Sequence, residues 1–397
     1  MTIDTFQVPG FRAAGVHCGI KAQGHDLALI AADASAAVAG VFTRSTVVGA
    51  PVEWSRAQVR SGRTRGVIVN SGISNVAMGA RGRRDARRMA GFAADPLGAK
   101  PEDVLVASTG VIGEPLPMTK IRTGARAAYD ALAPNGFGDA ARAIMTTDTV
   151  PKLARQRIRF GGRTITVAGI AKGAGMIEPN MATMLAFLVT DADVAPAFLR
   201  RVLKQSSDQS FNRLSVDGEG STSDSVLLLA SGAAGNPTLR AGRPGAARFQ
   251  AAVEAVSTDL ARQLARDGEG ATKLVDVRVS GARSHRDAER AARRIANSVL
   301  VKTALFGGDP NWGRILQTIG AARVPLRLER TRVRLGGVVV FRNGGSAGPA
   351  ARRRAEKAIR APEVAIEVEL GLGKGQSQLW TCDLTYDYVR INAEYTT

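Results

Sequence analysis

A long amphipathic helix followed at once by a strand is the feature that most constrains the fold of this chain. The apolar residues of this segment recur at intervals of three and four, which places them on one face of a helix. They are Phe249, Val253, Val256, Leu260 and Leu264. Residues 267–270, Asp-Gly-Glu-Gly, end the helix, and alternating valines from Val275 to Val279 then form a strand. The sequence therefore predicts a helix that delivers a polar loop onto the edge of a sheet.

Segments typical of strands and of helices also alternate elsewhere in the chain. Short apolar and β-branched runs between turn residues predict strands at residues 27–42, 66–70, 104–108 and 333–341. Helical composition predicts helices at residues 85–94, 121–132 and 284–297. Residues 343–349 are glycine-rich and predict a surface loop. The alternation predicts a mixed α/β fold, with no internal repeat and no linker that clearly divides the chain.

Length and composition favour a globular protein with a large core. The chain has 397 residues, of which 45% are hydrophobic. Its longest apolar runs, such as residues 184–189, fall well short of the roughly 18 residues that a membrane helix needs. Residues 1–10 include Asp4 and lack the apolar stretch of a secretory signal, so we expect a cytoplasmic protein without a membrane span. Cys18 and Cys382 are far apart and lack metal-ligand spacing, so we expect buried thiols.

The formal net charge of +19 raises the question whether the chain binds nucleic acid. The basic residues are scattered in small clusters at residues 81–88, 293–294 and 352–354. Aromatic residues do not interleave with these clusters, and no zinc-finger or RNA-recognition signature accompanies them. Solvated helix faces explain the clusters better, and we expect no nucleic-acid partner.

Residues 169–185 form the most unusual segment of the chain. Its sequence is Gly-Ile-Ala-Lys-Gly-Ala-Gly-Met-Ile-Glu-Pro-Asn-Met-Ala-Thr-Met-Leu, a glycine-rich loop that leads from Lys172 through Thr183 into an apolar strand. One interpretation is an ordinary loop before a core strand, with Lys172 solvated. The other is chemical, because cleavage between Ala182 and Thr183 would leave an α-amino group about 3 Å from the threonine hydroxyl. Such an amine would serve as general base for its own hydroxyl, and composition alone leaves both interpretations open.

Five further stretches stand in the same order as in one enzyme family. They are Ala-Ser-Thr-Gly-Val-Ile-Gly at 107–113, Met-Thr-Thr-Asp-Thr at 145–149, Asp-Gly-Glu-Gly-Ala-Thr-Lys at 267–273, Leu-Val-Lys-Thr at 300–303 continuing to Gly-Asp-Pro-Asn-Trp-Gly-Arg at 308–314, and Asn-Ala-Glu-Tyr-Thr-Thr at 392–397. With residues 172–185, they resemble the ornithine acetyltransferases, also called the bifunctional glutamate N-acetyltransferases of arginine biosynthesis. Any one match is weak, but six ordered matches over almost the whole chain are specific.

The resemblance implies a fold and a cleavage. The fold is α/β, with stacked β-sheets flanked by helices, as in the DmpA/ArgJ-like proteins. Self-cleavage between Ala182 and Thr183 would divide the precursor into an α chain of residues 1–182 and a β chain of residues 183–397. The resemblance further implies that the two chains stay together and that two cleaved precursors form an α2β2 heterotetramer.

The resemblance also implies a role for particular residues. Thr183 would be the nucleophile, and the Thr109 hydroxyl and the Gly110 backbone N–H would stabilise the oxyanion of an acyl transfer. The implied substrate-binding residues are Thr146, Lys172, Thr183, Glu269, Asn392 and Thr397. Of these, Lys172 would meet a carboxylate and Glu269 an ammonium group. Thr146 is preferred over its neighbour Thr147.

The implied reaction is a ping-pong transfer of acetyl from N2-acetyl-L-ornithine to L-glutamate, which yields ornithine and N-acetylglutamate. It uses no metal and no organic cofactor. Some members of the family also use acetyl-CoA as a donor, and no single residue of this chain decides that second activity.

Two segments depart from the pattern of the family. Ile73 and Val76 replace small or polar residues in an asparagine-rich loop, and Glu219-Gly220 stands where Asp-Thr is common. Neither change touches the nucleophile or the oxyanion residues, so the chemistry is better supported than the identity of the substrate. Two alternatives remain: a paralogous N-terminal nucleophile acyltransferase or amidase acting on a related amine in specialised metabolism, and a non-catalytic basic binding protein.

Overall fold

The computed structural model describes residues 5–178 and 184–394 and has an α/β architecture. The strands are β1 (Phe11–Val16), β2 (Leu27–Phe42), β3 (Arg63–Ile73), β4 (Val104–Val111), β5 (Lys152–Phe160), β6 (Arg163–Lys172), β7 (Leu185–Thr190), β8 (Ser225–Ala230), β9 (Leu274–Ala282), β10 (Arg332–Leu335), β11 (Val338–Arg342), β12 (Gly345–Ser346), β13 (Glu363–Glu369) and β14 (Gly375–Cys382). The helices are α1 (Ala50–Gln58), α2 (Gly79–Ala94), α3 (Met118–Asp130), α4 (Phe137–Ala143), α5 (Pro196–Gln209), α6 (Ala246–Arg266), α7 (His285–Ala296), α8 (Val299–Phe306), α9 (Trp312–Ala321), α10 (Pro349–Ala358) and α11 (Tyr386–Glu394).

The first sheet has the strand order β4-β3-β2-β8-β7-β6-β5, with β1 paired to β2. The long strand β2 pairs with β1 through residues 27–32, with β3 through residues 27–31 and 36–37, and with β8 through residues 37–42. Strands β7 and β8, which follow residues 179–183 in the chain, therefore lie between β2 and β6, which precede them. The two sides of the implied cleavage point share one hydrogen-bonded sheet.

The second sheet has the order β12-β11-β10-β13-β9-β14. Helix α6 contacts β5 and β6 of the first sheet and β9 and β14 of the second, so it joins the two sheets. The five apolar residues of its predicted stripe are all buried and belong to one core cluster. Helices α7 to α10 share a hydrophobic core with the second sheet, while α2 contacts β3 and β4 at the edge of the first sheet and α3 contacts β1 and β2. The end of α6 thereby fixes residues 267–270 beside both sheets.

Most of the predicted elements are confirmed, and one strand is wrong. The predicted strand at residues 27–42 coincides with β2, and those at 66–70 and 104–108 lie within β3 and β4. The segment 333–341 forms a hairpin of β10 and β11 rather than one strand. Gly336 and Gly337 have φ values of 55° and 79°, which permit the two-residue turn that pairs Leu335 with Val338. The predicted loop at 343–349 contains the short strand β12.

The basic cluster on α2 lies on an exposed helix face, as predicted. The side chains of Arg81, Arg83, Arg87 and Arg88 are more than half exposed. Cys382 is a buried free thiol, whereas Cys18, also free, is only half-buried. None of the helices within the described ranges is long and apolar enough to cross a membrane.

Candidate active site

One cavity of about 100 Å³ collects residues from distant parts of the chain. Its lining includes Thr109, Gly110, Thr146, Lys172, Glu269 and Asn392, which are the predicted site residues that the structure describes. Met184 and Leu185, at the start of β7, also line it. Thr183, Ala182 and Thr397 lie outside the described residues, although Met184 follows Thr183 directly. The structure thus brings the described candidates together around a single pocket.

Lys172 ends strand β6 and is buried, so the interpretation of a solvated lysine is wrong. Its Nζ donates hydrogen bonds to Thr146 Oγ1 at 2.7 Å and to Thr109 Oγ1 at 3.2 Å. Thr146 and Thr147 both line the cavity, so the preference for Thr146 as the substrate contact stays a prediction. Burial lowers the pKa of Lys172, and the carboxylate of Asp148 opposes this shift. Lys172 therefore sits at the boundary between the buried sheet and the cavity.

Gly110 lies near the end of β4, at a point where only glycine fits. Its φ of 126° belongs to the region that L side chains rarely adopt. A Cβ at this position would lie 2.2 Å from the carbonyl carbon of Gly72, its partner in β3. Glycine thus lets the backbone of β4 approach β3 closely at this point, and Gly110 also lines the cavity.

Glu269 lies in the polar loop after α6, with only 7% of its surface exposed. Its Oε2 accepts a hydrogen bond from Asn392 Nδ2 at 2.7 Å, and its backbone N–H donates to the Ala174 carbonyl at 2.8 Å. A Cβ on Gly175 would lie 2.3 Å from Glu269 Oε2, so the glycine-rich loop passes directly over the carboxylate. The cavity therefore presents a cationic group at Lys172 and an anionic group at Glu269, which suits a substrate that carries both charges.

Comparison with known proteins identifies the family of this chain. The model of the ArgJ family matches residues 12–397. The chain belongs to the ArgJ family. It is 49% identical over 391 residues to the arginine biosynthesis bifunctional protein ArgJ of Geobacter sulfurreducens, which covers 98% of this chain and 100% of that protein. The protein of the same name from Bacillus subtilis is 43% identical over 398 residues, covering 100% of this chain and 97% of its own length.

A solved structure supports the fold assignment. The arginine biosynthesis bifunctional protein argJ from Bacillus halodurans is similar with a TM-score of 0.51 and 42% identity. The match covers 53% of this chain and 98% of that chain. The predicted α/β fold with stacked sheets and flanking helices is confirmed.

The two departures from the usual ArgJ family pattern flank the cavity without lining it. Ile73 and Val76 stand on either side of Ser74, which lines the pocket, and Glu219-Gly220 precedes Ser221, which also lines it. Val76 is fully buried, and Glu219 is exposed. The replaced residues are therefore close in sequence to residues that line the cavity but do not line it themselves.

The sequence alone did not point to two acids that hold the backbone of residues lining the site, Asp148 and Asp217. Asp148 Oδ1 accepts hydrogen bonds from Lys152 Nζ and from the Gly173 backbone N–H, both at 2.6 Å. Asp217 accepts from the backbone N–H groups of Met176 and Ile177 at 2.6 and 2.8 Å. Asp148 lies in the stretch at residues 145–149 that resembles the family, and this position is the sequence signal that could have identified it as part of the site. Its contact with Lys152 depends on how the following strand packs.

Proposed function

We propose that this chain is an acetyltransferase of arginine biosynthesis that moves acetyl from N2-acetyl-L-ornithine to L-glutamate through an acetyl-threonine at Thr183. The convergence of Thr109, Gly110, Lys172 and Glu269 on one cavity beside Met184 carries this proposal. The relatives named for arginine biosynthesis support it, because they match this chain over nearly their full length.

The first half of the proposed reaction acetylates the enzyme. The Thr183 hydroxyl attacks the acetyl carbonyl, and its proton passes through the free α-amino group to the leaving nitrogen of ornithine. The C–N bond of the acetamide breaks, and an ester forms at Thr183. The Thr109 hydroxyl and the Gly110 backbone N–H stabilise the negative oxygen of the tetrahedral intermediate.

The second half transfers the group to glutamate. The neutral α-amine of glutamate attacks the ester carbonyl, the C–O bond to Thr183 breaks, and the proton returns to the threonine oxygen. Lys172 uses two of its N–H donors for Thr109 and Thr146, and in this proposal the third meets a substrate carboxylate. The carboxylate of Glu269 pairs with a substrate ammonium group. These steps need neither a metal nor an organic cofactor.

The proposal includes self-cleavage into chains of residues 1–182 and 183–397. The insertion of β7 and β8 between β2 and β6 supports continued association of the two chains. The solved Bacillus halodurans chain is matched over 98% of its length by 53% of this chain, and residues 183–397 make up a similar share of this chain. Assembly into an α2β2 heterotetramer and a cytoplasmic location also belong to the proposal.

The test begins with intact mass and N-terminal sequencing of the purified protein. The expected result is two fragments, the second of which begins Thr-Met-Leu at residue 183. The cleaved protein is then incubated with N2-acetyl-L-ornithine, with and without L-glutamate, and the products are measured by mass spectrometry. Acetyl-CoA replaces the acetylornithine in a parallel reaction, which decides whether the enzyme uses a second donor.

The products separate the alternatives. A transferase gives far more N-acetylglutamate than acetate when glutamate is present, whereas an amidase releases acetate with or without glutamate. A basic binding protein stays uncut and binds nucleic acid with a steep dependence on salt. Thr183→Ala is expected to block cleavage and turnover, while Thr183→Ser retains a hydroxyl and an α-amine. Normal turnover by Thr183→Ala would refute the mechanism.

A further inference from the structure

Four side chains of alternating charge lead from the end of α6 to the cavity. Lys152 Nζ lies 2.6 Å from Asp267 Oδ2 and 2.6 Å from Asp148 Oδ1, and Asp148 Oδ2 lies 4.0 Å from Lys172 Nζ. We call Asp267, Lys152, Asp148 and Lys172 the buried charge row. The side chains of Lys152 and Asp148 have no solvent exposure, and that of Lys172 is 10% exposed. Asp267, Lys152 and Asp148 have no role in the proposed chemistry, whereas Lys172 does.

A fully buried ion pair is costly unless other hydrogen bonds complete it, so the contacts of Asp148 indicate a built arrangement. Besides Lys152, Asp148 accepts from the Gly173 backbone N–H at 2.6 Å and from the Thr146 backbone N–H at 3.1 Å. Gly173 follows Lys172 in the chain, and Thr146 is the hydroxyl partner of its Nζ. The carboxylate of Asp148 thus holds Lys172 in three ways. It faces the charge of Lys172, it binds the backbone N–H of the next residue, Gly173, and it binds the backbone N–H of Thr146, whose hydroxyl accepts from Lys172.

The charge of Lys172 determines how the Thr109 hydroxyl is oriented. A protonated lysine has only donors, so Thr109 Oγ1 accepts from Lys172 at 3.2 Å and its own proton points elsewhere. A neutral lysine would offer a lone pair, and Thr109 would then turn its proton toward Nζ. Since Thr109 lines the cavity, only the charged lysine leaves that proton for an oxyanion.

We propose that Asp148, held in place by Lys152, is a positioning residue that keeps Lys172 charged and donating to Thr109, so that the Thr109 hydroxyl stays available to the oxyanion. This inference rests on the proposed acetyl transfer, and it adds residues to which that mechanism assigns no role.

The inference has a signature in the pH profile. The charged groups around Lys172 are Asp148, Lys152, Asp224, Glu269 and Lys21. Burial lowers the pKa of Lys172, Asp148 raises it, and Lys152 lowers it. If the charged form is active, activity is lost as the pH rises through this pKa. In a plot of activity against pH, the alkaline limb is the part where activity falls as the pH rises. Removal of the Asp148 charge therefore moves the alkaline limb to lower pH, and removal of the Lys152 charge moves it to higher pH.

The test is the pH dependence of kcat and kcat/KM for the full-length cleaved protein with N2-acetyl-L-ornithine and L-glutamate. Asp148→Asn is expected to lower kcat by about 10- to 100-fold, the range for one hydrogen bond to a charged group. Its alkaline limb should move down by about one to three pH units, as the loss of an adjacent opposite charge implies. Lys152→Met should move the limb in the opposite direction. A role in folding alone would not produce opposite shifts.

The matched control is Asp191→Asn, which neutralises another buried acid, located directly after β7. Asp191 accepts from the Thr166 backbone N–H at 2.8 Å and does not line the cavity. Its replacement should leave the alkaline limb unchanged. An Asp148→Asn protein whose limb coincides with that of the wild type would overturn the inference.

A second variant decides the question if Asp148→Asn gives no folded protein. Asp267→Asn removes one negative charge from the far end of the buried charge row and retains the pair of Lys152 and Asp148. The limb should then move to lower pH by a smaller amount, and an unmoved limb would overturn the inference. A wild-type protein without acetyl transfer would overturn the proposed function and this inference together, whereas an active wild type with unmoved variants would overturn the inference alone.

Discussion

Asn392 on α11 donates a hydrogen bond to the buried carboxylate of Glu269 at 2.7 Å. The contact joins residues that are 123 positions apart and brings the last described helix to the edge of the cavity. The polar loop after α6 and the end of the chain therefore form one wall of the site.

The first prediction concerns this wall. Glu269→Gln keeps the shape of the side chain and an acceptor for Asn392 but removes the charge that we propose pairs with a substrate ammonium group. We expect kcat/KM to fall about 10- to 100-fold, mainly through KM, because a hydrogen bond to a charged group contributes about 1.5–3 kcal/mol. Asn392→Ala removes a neutral donor and should cost less than Glu269→Gln. Steady-state kinetics with each substrate varied in turn measure both effects, and an unchanged KM in Glu269→Gln would contradict the assignment.

The second prediction concerns the oxyanion donors. Thr109→Ala removes one of the two proposed oxyanion donors, and kcat should fall by about 10²- to 10³-fold. Thr109→Ser retains the hydroxyl that accepts from Lys172 and should keep most of the activity. Both variants are compared after mass spectrometry has shown complete cleavage, so that maturation does not affect the rates. Equal activity of the Ala and Ser variants would remove Thr109 from the mechanism.

The third prediction concerns the loop before the cleavage point. Met176 has a φ of 53°, a conformation that costs a non-glycine residue about 1–2 kcal/mol. The carboxylate of Asp217 accepts hydrogen bonds from the backbone N–H groups of Met176 and Ile177. Asp217→Ala leaves both donors without this carboxylate, so self-cleavage should slow by about tenfold or more. Glu219→Ala, at an exposed acid two residues away, is the matched control. Gel electrophoresis over a maturation time course measures both, and wild-type cleavage by a folded Asp217→Ala protein would exclude this role.

The fourth prediction follows from the order of the first sheet. Because β7 and β8 pair with β2 on one side and β6 on the other, the two fragments of the proposed cleavage cannot part without breaking two rows of backbone hydrogen bonds. The fragments should elute as one species in native gel filtration and unfold in a single transition, and the uncut Thr183→Ala protein should do the same. Separate elution of the fragments under native conditions would contradict this arrangement.

Several parts of this fold could be predicted because the relevant signal is local. The helical stripe from Phe249 to Leu264 and the full extent of β2 follow from periodicity, which reports how one segment is buried. The hairpin at residues 332–342 was missed because the same apolar run is compatible with one strand or two. Gly336-Gly337 between two apolar runs is a hairpin signal, and the backbone conformation of the two glycines confirms the turn.

The sequence by itself determined the α/β class, the family and the short stretches that supply the cavity, because each stretch is contiguous in the chain. Tertiary structure decided that Lys172 is buried, that it contacts Thr146, and that Lys152 joins Asp148 to Asp267 across 115 residues of sequence. It also decided that β7 and β8 enter the middle of the first sheet. Residue patterns report which face of a segment is apolar, but the partner of a buried charge depends on which strands and helices pack together, and that information is not local.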